Sequence, residues 1–171
     1  MEICTSTGTY MNSPFHRHPD KYKIESIRIE NTIGKGTVID VSDKGSKGRI
    51  FATDMESKIP EGADVVLFHT GWSKYVGTPE YFNSPALDYD AVEYLVKRRP
   101  KIVGIDGINV DISANKDFPA HTRLLANDIL IVENLTNLAP LISKQFTFYA
   151  TPLKVKDMAS MPVRAFAVMD E

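Results

Sequence analysis

Residues 64–69 have the sequence Asp-Val-Val-Leu-Phe-His, a near-continuous apolar run of strand length that decides the fold class. Successive side chains of a strand point to opposite faces of its sheet, so this run indicates a strand that is buried on both faces. Residues 101–106 and 129–133 repeat the pattern further along the chain. Strands of this kind are typical of parallel sheets that are covered by helices.

Helical patterns separate these strands. Residues 88–99 carry apolar side chains along one helical face and basic side chains at the C-terminal end, where Pro100 follows. Basic residues suit the negative end of the helix dipole, and a proline ends a helix. Residues 119–127 form a second candidate helix with Pro119 in its first turn. The alternation over residues 64–133 predicts an α/β domain with parallel pairing in that region.

Further elements are expected outside this region. The expected strands without intervening helices are residues 2–9, 37–41, 146–150 and 163–168, and a short helix is expected over residues 135–142. Because several of these strands follow one another without a helix between them, the sheet is predicted to be mixed, with the helices on its flanks.

Size and composition exclude several classes of protein. We expect the 171 residues to form a single domain spanning 1–171. The formal charge of −2 gives no basic surface for nucleic acid or anionic membrane, and no apolar run approaches the roughly 20 residues that span a bilayer. The single Cys4 excludes an internal disulfide and is typical of a reducing cytoplasm, so a cytoplasmic location is predicted.

Residues 6–16, Ser-Thr-Gly-Thr-Tyr-Met-Asn-Ser-Pro-Phe-His, resemble a motif of the cyclase family of hydrolases, which includes the bacterial kynurenine formamidases. That family carries His-x-Gly-Thr-His-x-Asp-x-Pro-x-His. The Gly8-Thr9 step, Pro14 and His16 fall in register with it. The family's other two histidines and its aspartate are replaced here, in order, by Ser6, Tyr10 and Asn12.

The resemblance extends over nearly the whole chain, because five further segments occur in the family's order. These are residues 68–72, 104–106, 121–125, 132–135, and a closing pair at 152–155 and 162–165. The resemblance implies a swivelling β/β/α fold and a homodimer or higher homo-oligomer. Members of the family usually carry a further strand-bearing segment ahead of the motif, so the chain is either a short branch of the family or lacks a first segment.

The resemblance also implies a metal. In the family pattern, imidazoles and carboxylates hold a divalent ion that activates a water molecule. His121 and Glu133 are the implied ligands that remain, and His16 would complete a set of two histidines and one carboxylate that suits Zn²⁺ or Mn²⁺. The exchanges at Tyr10 and Asn12 weaken the site, so metal dependence stays open.

The remaining side chains also offer chemistry without a metal. His16 titrates near neutral pH and can act as a general base or acid. Glu133 can orient His121, while the Tyr10 hydroxyl and the Asn12 amide can donate hydrogen bonds to a developing oxyanion. Each of these residues has a structural alternative, as a packed, capping or loop-shaping group.

Two further residues are candidates for substrate binding. Trp72 follows a glycine break and can form a pocket wall, and Asp106 lies at the C-terminal end of a predicted strand, where open α/β sheets place their sites. Together these features predict an arylformamidase-like hydrolase of a small amide, ester or lactone. The alternative is a catalytically silent relative that binds a small metabolite or serves as a structural subunit.

Overall fold

The computed structural model describes residues 3–112 and 117–169. Within these ranges the chain forms ten strands and two α-helices, joined by loops and short 3-10 turns. No helix in the described ranges is long and apolar enough to cross a membrane. In chain order the elements are β1 (Tyr10–Asn12), β2 (Ile33–Asp40), β3 (Arg49–Ile50), β4 (Val65–His69), β5 (Ala86–Leu87), α1 (Tyr89–Arg98), β6 (Ile102–Ile105), α2 (Pro119–Ala126), β7 (Leu130–Glu133), β8 (Phe146–Tyr149), β9 (Ser160–Pro162) and β10 (Phe166–Met169).

One mixed sheet organises the molecule. Among the described residues it contains eight strands in the order β10-β8-β2-β4-β6-β7-β1-β9, and β3 pairs with β5 separately. The four central strands β2, β4, β6 and β7 are parallel, while the strands added at both ends are antiparallel. This arrangement confirms the prediction of an α/β fold with a mixed sheet and flanking helices.

Apolar side chains on both faces explain why the central strands are continuous apolar runs. In β4, Val66 and Phe68 pack on the side of α1 and α2, whereas Val65 and Leu67 pack into a second core on the opposite face. The buried residues of α1, Ala91 among them, complete the first core. Burial on both faces is the expected property of the parallel part of a sheet.

Two of the expected elements are wrong. The described part of residues 2–9 contains turns instead of a strand, because the Thr7 N–H donates back to the Cys4 carbonyl and Gly8 has a φ of 65°. Residues 135–142 contain only the 3-10 turn Ala139–Leu141, since Asn137 has a φ of 58°, which interrupts a right-handed helix. The first strand is therefore β1, and it contains part of the motif itself.

The position of β1 brings the motif to the edge of the sheet where the parallel strands end. β1 runs antiparallel to β7, with Tyr10 opposite Glu133 and Asn12 opposite Ile131. Glu133 is the last residue of β7, and Asp106 follows the end of β6. The C-terminal ends of parallel strands are the usual place for a site in an open α/β sheet.

A glycine in β2 gives a test of the packing on the second face. Gly36 lies opposite Phe146 of β8, and a Cβ atom added to Gly36 would overlap the Phe146 ring. We expect Gly36→Ala to lower the free energy of unfolding by about 1–3 kcal/mol, because overpacking forces the ring out of position. Urea denaturation measures this loss. Adding Phe146→Leu to Gly36→Ala should relieve part of the clash and restore part of the free energy of unfolding. Equal stability of wild type and Gly36→Ala would contradict the packing described.

Candidate active site

The buried carboxylate of Glu133, at the end of β7, accepts hydrogen bonds from three groups. The Tyr10 hydroxyl donates to Oε2 of Glu133 at 2.6 Å, and Nδ2 of Asn12 donates to the same oxygen at 3.1 Å. The backbone N–H of Val110 donates to Oε1 at 3.0 Å. Glu133 is 1% exposed, so these donors replace the water that a carboxylate would otherwise bind.

His121 in α2 lies between this carboxylate and a second one. Its Nδ1 donates to Oδ2 of Asp111 at 2.7 Å, and its Nε2 lies 3.4 Å from Oε1 of Glu133. All three side chains are buried. The ring is therefore oriented from both sides, and its position depends on a pair of buried negative charges.

Asp111 also starts the helix that carries His121. Its Oδ1 accepts the N–H of Ala120 at 2.7 Å, and its Oδ2 accepts the N–H of His121 at 3.0 Å. The first N–H groups of a helix have no partner within the helix, and the N-cap residue Phe118 supplies no side-chain bond. One carboxylate thus fixes both the helix start and the imidazole.

Asp111 was missed in the sequence. It lies in a polar loop with no periodicity, and its partners Ala120 and His121 are nine and ten residues further along the chain. A signal was present, since a histidine in the first turn of a helix that begins with Pro119 needs an acceptor. The loop after β6 contains the acidic residues that could provide one.

The buried charges determine which groups in the cluster carry protons. Burial opposes a charge on His121, but the carboxylates of Glu133 and Asp111 outweigh it and raise its pKa to about 9. Burial works against the Glu133 charge as well, but the charge of His121 outweighs this and lowers the Glu133 pKa. Burial and the Glu133 charge raise the pKa of Tyr10, so its hydroxyl keeps its proton and donates. At neutral pH the cluster therefore contains an imidazolium between two carboxylates.

The pKa of His16 is shifted in the opposite direction to that of His121. It lies on the 3-10 turn Pro14–His16 that follows β1, is exposed, and its ring centroid is 5.7 Å from that of His121. Partial burial, followed by the positive charge of His121, lowers the pKa of His16. Neighbouring groups whose pKa values are driven apart are typical of acid–base sites. His16 is thus neutral at pH 7 and able to accept a proton.

The structure brings five of the predicted residues together, and the donor groups of two of them contact Glu133. Tyr10 and Asn12 were expected to donate to an oxyanion, yet their donor groups already bind Glu133. In this structure they hold a carboxylate in place. The hydrogen-bonded cluster of Tyr10, Asn12, His121 and Glu133, together with the adjacent His16, is called the His121 cluster below.

Trp72 and Asp106 take part in loop packing, and the structure does not place them in the His121 cluster. Asp106 accepts the N–H and hydroxyl of Thr70 and the N–H of Gly71, which fixes the loop after β4. Trp72 is buried, and its indole N–H donates to the Glu80 carbonyl at 3.0 Å. Neither side chain lines the cavity that opens beside Tyr10.

That cavity has a volume of about 720 Å³. Tyr10 forms part of its wall, apolar side chains such as Ile108 and Leu135 form another part, and Asn134 adds polar groups. Tyr81 donates its hydroxyl to Oδ1 of Asn134 at 2.7 Å, which fixes this wall. Sites for small molecules have volumes of this order and a similar mixture of apolar walls and a few polar groups.

Comparisons with known proteins identify relatives of the chain. The sequence model of the Cyclase family, which is described as "Putative cyclase", matches residues 1–112. An uncharacterized protein of Methanocaldococcus jannaschii is 31% identical, with 99% of this chain and 100% of the relative covered. The kynurenine formamidase of Bacillus cereus is 31% identical over 160 residues, with 93% of this chain and 74% of the relative covered.

Two solved structures have folds similar to that of this chain. Isatin hydrolase A from Ralstonia solanacearum has a TM-score of 0.87 and 26% identity, with 97% of this chain and 73% of that chain covered. A potential metal-dependent hydrolase with cyclase activity has a TM-score of 0.85 and 25% identity, with 99% of this chain and 81% of that chain covered. The two solved structures are thus named as hydrolases, and both share the fold of this chain.

The raised pKa of His121 predicts a loss of stability at alkaline pH. The pKa rises from 6.5 to about 9 on folding, so the folded state keeps a proton that the unfolded state releases. The stabilisation is fully present below about pH 6.5 and is lost as the pH rises through about 9. We expect the free energy of unfolding to fall by roughly 3 kcal/mol across this range, measured by urea denaturation at a series of pH values.

Two variants control this measurement. Asp111→Asn removes one of the charges that hold the proton on His121, so the decline with pH should be smaller. Asp128→Asn removes an exposed carboxylate that pairs with Lys21, and it should leave the decline unchanged. A flat wild-type curve between pH 6.5 and 9 would show that His121 is neutral in the folded protein.

Proposed function

Because the chain belongs to the Cyclase family, we propose that it is a hydrolase that acts on the amide bond of a small molecule. Two of its relatives support the reaction class, since one is a kynurenine formamidase and the other an isatin hydrolase. Isatin contains a cyclic amide fused to an aromatic ring. We therefore infer that the substrate is an amide of an aromatic amine, either open-chain or cyclic.

The pairing of His16 with His121 carries this proposal. Hydrolysis of an amide needs a base that removes a proton from water and an acid that returns it to the departing nitrogen. His16 is exposed and its pKa is lowered. The ring centroid of His121 lies 5.7 Å from that of His16, and its position between two carboxylates raises its pKa. Partial burial of His16, and after it the positive charge of His121, keeps His16 neutral and able to accept a proton.

The proposed reaction proceeds through a tetrahedral intermediate. A water molecule attacks the carbonyl carbon, a C–O bond forms, and the water proton passes to a ring nitrogen of His16. The C–N bond then breaks, and His16 returns the proton to the nitrogen of the leaving amine.

The cavity beside Tyr10 is proposed to hold the part of the substrate that does not react. Its apolar walls suit a planar ring, and its volume of about 720 Å³ leaves room for a small aromatic amide. Tyr10 is half-buried and forms the end of the His121 cluster that faces this cavity, whereas His16 forms the exposed end.

Substitution of His16 tests the proposal. We expect wild type to hydrolyse members of a panel of N-formyl aromatic amines, isatin and small lactones, and His16→Ala to lower kcat/KM by about 100-fold or more. His18→Ala is the matched control, because this histidine lies two residues further on and its Nε2 contacts the Thr122 carbonyl at 2.9 Å. Circular dichroism should show that both variants are folded.

The pH dependence adds a second test of the same base. Since the pKa of His16 is lowered from 6.5, kcat/KM should rise with pH to a midpoint below 6.5 and then level off. An absence of turnover on the whole panel by pure, folded wild type would contradict the proposal. Full activity of His16→Ala would assign the base to another residue.

A further inference from the structure

Both ring nitrogens of His121 are already occupied. Nδ1 donates to Asp111 at 2.7 Å, and Nε2 lies 3.4 Å from Oε1 of Glu133 and 3.4 Å from Nδ2 of Asn12. A histidine that ligates a metal donates from one ring nitrogen and presents a lone pair with the other. Nδ1 fits the first requirement. Nε2 faces a carboxylate and an amide at contact distance, so no ligand position lies open in front of it.

Both carboxylate oxygens of Glu133 also accept hydrogen bonds. Its Oε2 accepts from Tyr10 at 2.6 Å and from Asn12 at 3.1 Å, and its Oε1 accepts from the Val110 N–H at 3.0 Å. Two donors occupy the two lone pairs of Oε2, so at least one of these bonds would have to break before Oε2 could ligate an ion, and Oε1 accepts one N–H and faces Nε2 of His121 at 3.4 Å. A buried O–H or N–H group that loses its acceptor is strongly unfavourable, so the exchange is resisted.

The remaining oxygen of the His121 cluster does not make up a ligand set. Oδ1 of Asn12 is buried and has no hydrogen-bond partner, but it is a single neutral oxygen. Zn²⁺ is held by three or four protein ligands drawn from thiolate, imidazole and carboxylate groups. Across residues 3–112 and 117–169, no three His, Cys, Asp or Glu side chains are placed to hold a metal ion. The residues that are present therefore do not fit a divalent cofactor.

We propose that this centre takes no resident divalent ion and that the Tyr10 hydroxyl and the Asn12 amide exclude one by binding Glu133. The inference rests on the proposed hydrolase function only for its catalytic consequence, which is that hydrolysis continues when metals are removed. The exclusion of an ion is a property of the His121 cluster itself. It can be measured whether or not the substrate is known.

Ion binding is measured first on the full chain. The protein is dialysed separately against micromolar Zn²⁺ and Mn²⁺, and bound ions are counted by elemental mass spectrometry in wild type and Glu133→Gln. We expect well below one ion per chain in wild type and no difference between the two proteins, because any bound ion would then be at the surface. Nearly one ion per wild-type chain that is lost in Glu133→Gln would overturn the proposal.

A gain of binding provides the second measurement and does not depend on the folding of Glu133→Gln. The double variant Tyr10→His with Asn12→Asp removes both donors to Oε2 and adds a ring nitrogen and a carboxylate beside His121. We expect this variant to bind about one ion per chain and to show a rise in Tm on addition of Zn²⁺ or Mn²⁺, while the Tm of wild type stays constant. A folded double variant that binds no more ion than wild type would show that these two side chains are not what excludes the ion.

Chelation separates this proposal from the proposed function. Hydrolysis by wild type should change less than twofold after treatment with EDTA, and a tenfold loss that Zn²⁺ or Mn²⁺ restores would overturn the inference. If wild type hydrolyses nothing on the panel, the proposed function fails. The two ion measurements then still decide whether the His121 cluster excludes a metal.

Discussion

The arrangement of His121 between Asp111 and Glu133 is the constraint on which the rest of the site depends. Each of these side chains is buried, and a buried charge that is left unpaired is very unfavourable. The ring can therefore be placed only where both carboxylates reach it. Asp111 comes from the loop after β6, His121 from the first turn of α2 and Glu133 from the end of β7. These three side chains therefore link consecutive parts of the α/β unit.

The pairing of β1 with β7 determines what surrounds these charges. Because Tyr10 lies opposite Glu133 in an antiparallel pair, the side chains of Tyr10 and Asn12 fall on the face where the Glu133 carboxylate ends. Met11 points to the other face and joins the second core. The same three-residue strand thus supplies core packing on one side and two hydrogen-bond donors on the other, which leaves little freedom in how the His121 cluster is built.

The sequence predicted most of the parallel half of the fold and less of the site. Apolar runs such as residues 64–69 are buried on both faces, so their burial is visible in composition alone. The start of β1 and the absence of a helix after β7 were mispredicted, because both depend on left-handed residues such as Gly8 and Asn137. Propensity and periodicity do not reveal which residue in a turn will adopt that conformation.

The role of Asp111 shows why the site was harder to predict than the fold. A resemblance over residues 6–16 places Tyr10 and His16 near a site, but it does not show which acceptors the side-chain donors of this segment bind. That depends on hydrogen bonds between residues far apart in sequence, such as the one joining Tyr10 to Glu133 across 123 positions. Hydrogen-bond partners in a buried cluster are decided by the whole fold, since every donor must find an acceptor there.

The chemistry of the site follows from a difference in burial between two histidines. His121 keeps its proton because the carboxylates of Glu133 and Asp111 outweigh the effect of burial, whereas partial burial, followed by the positive charge of His121, lowers the pKa of His16. An exposed pair of histidines would titrate together near neutral pH and provide no such separation. The buried group of His121, Asp111 and Glu133 therefore does more than stabilise α2, since the charge of His121 also contributes to the lowered pKa of His16.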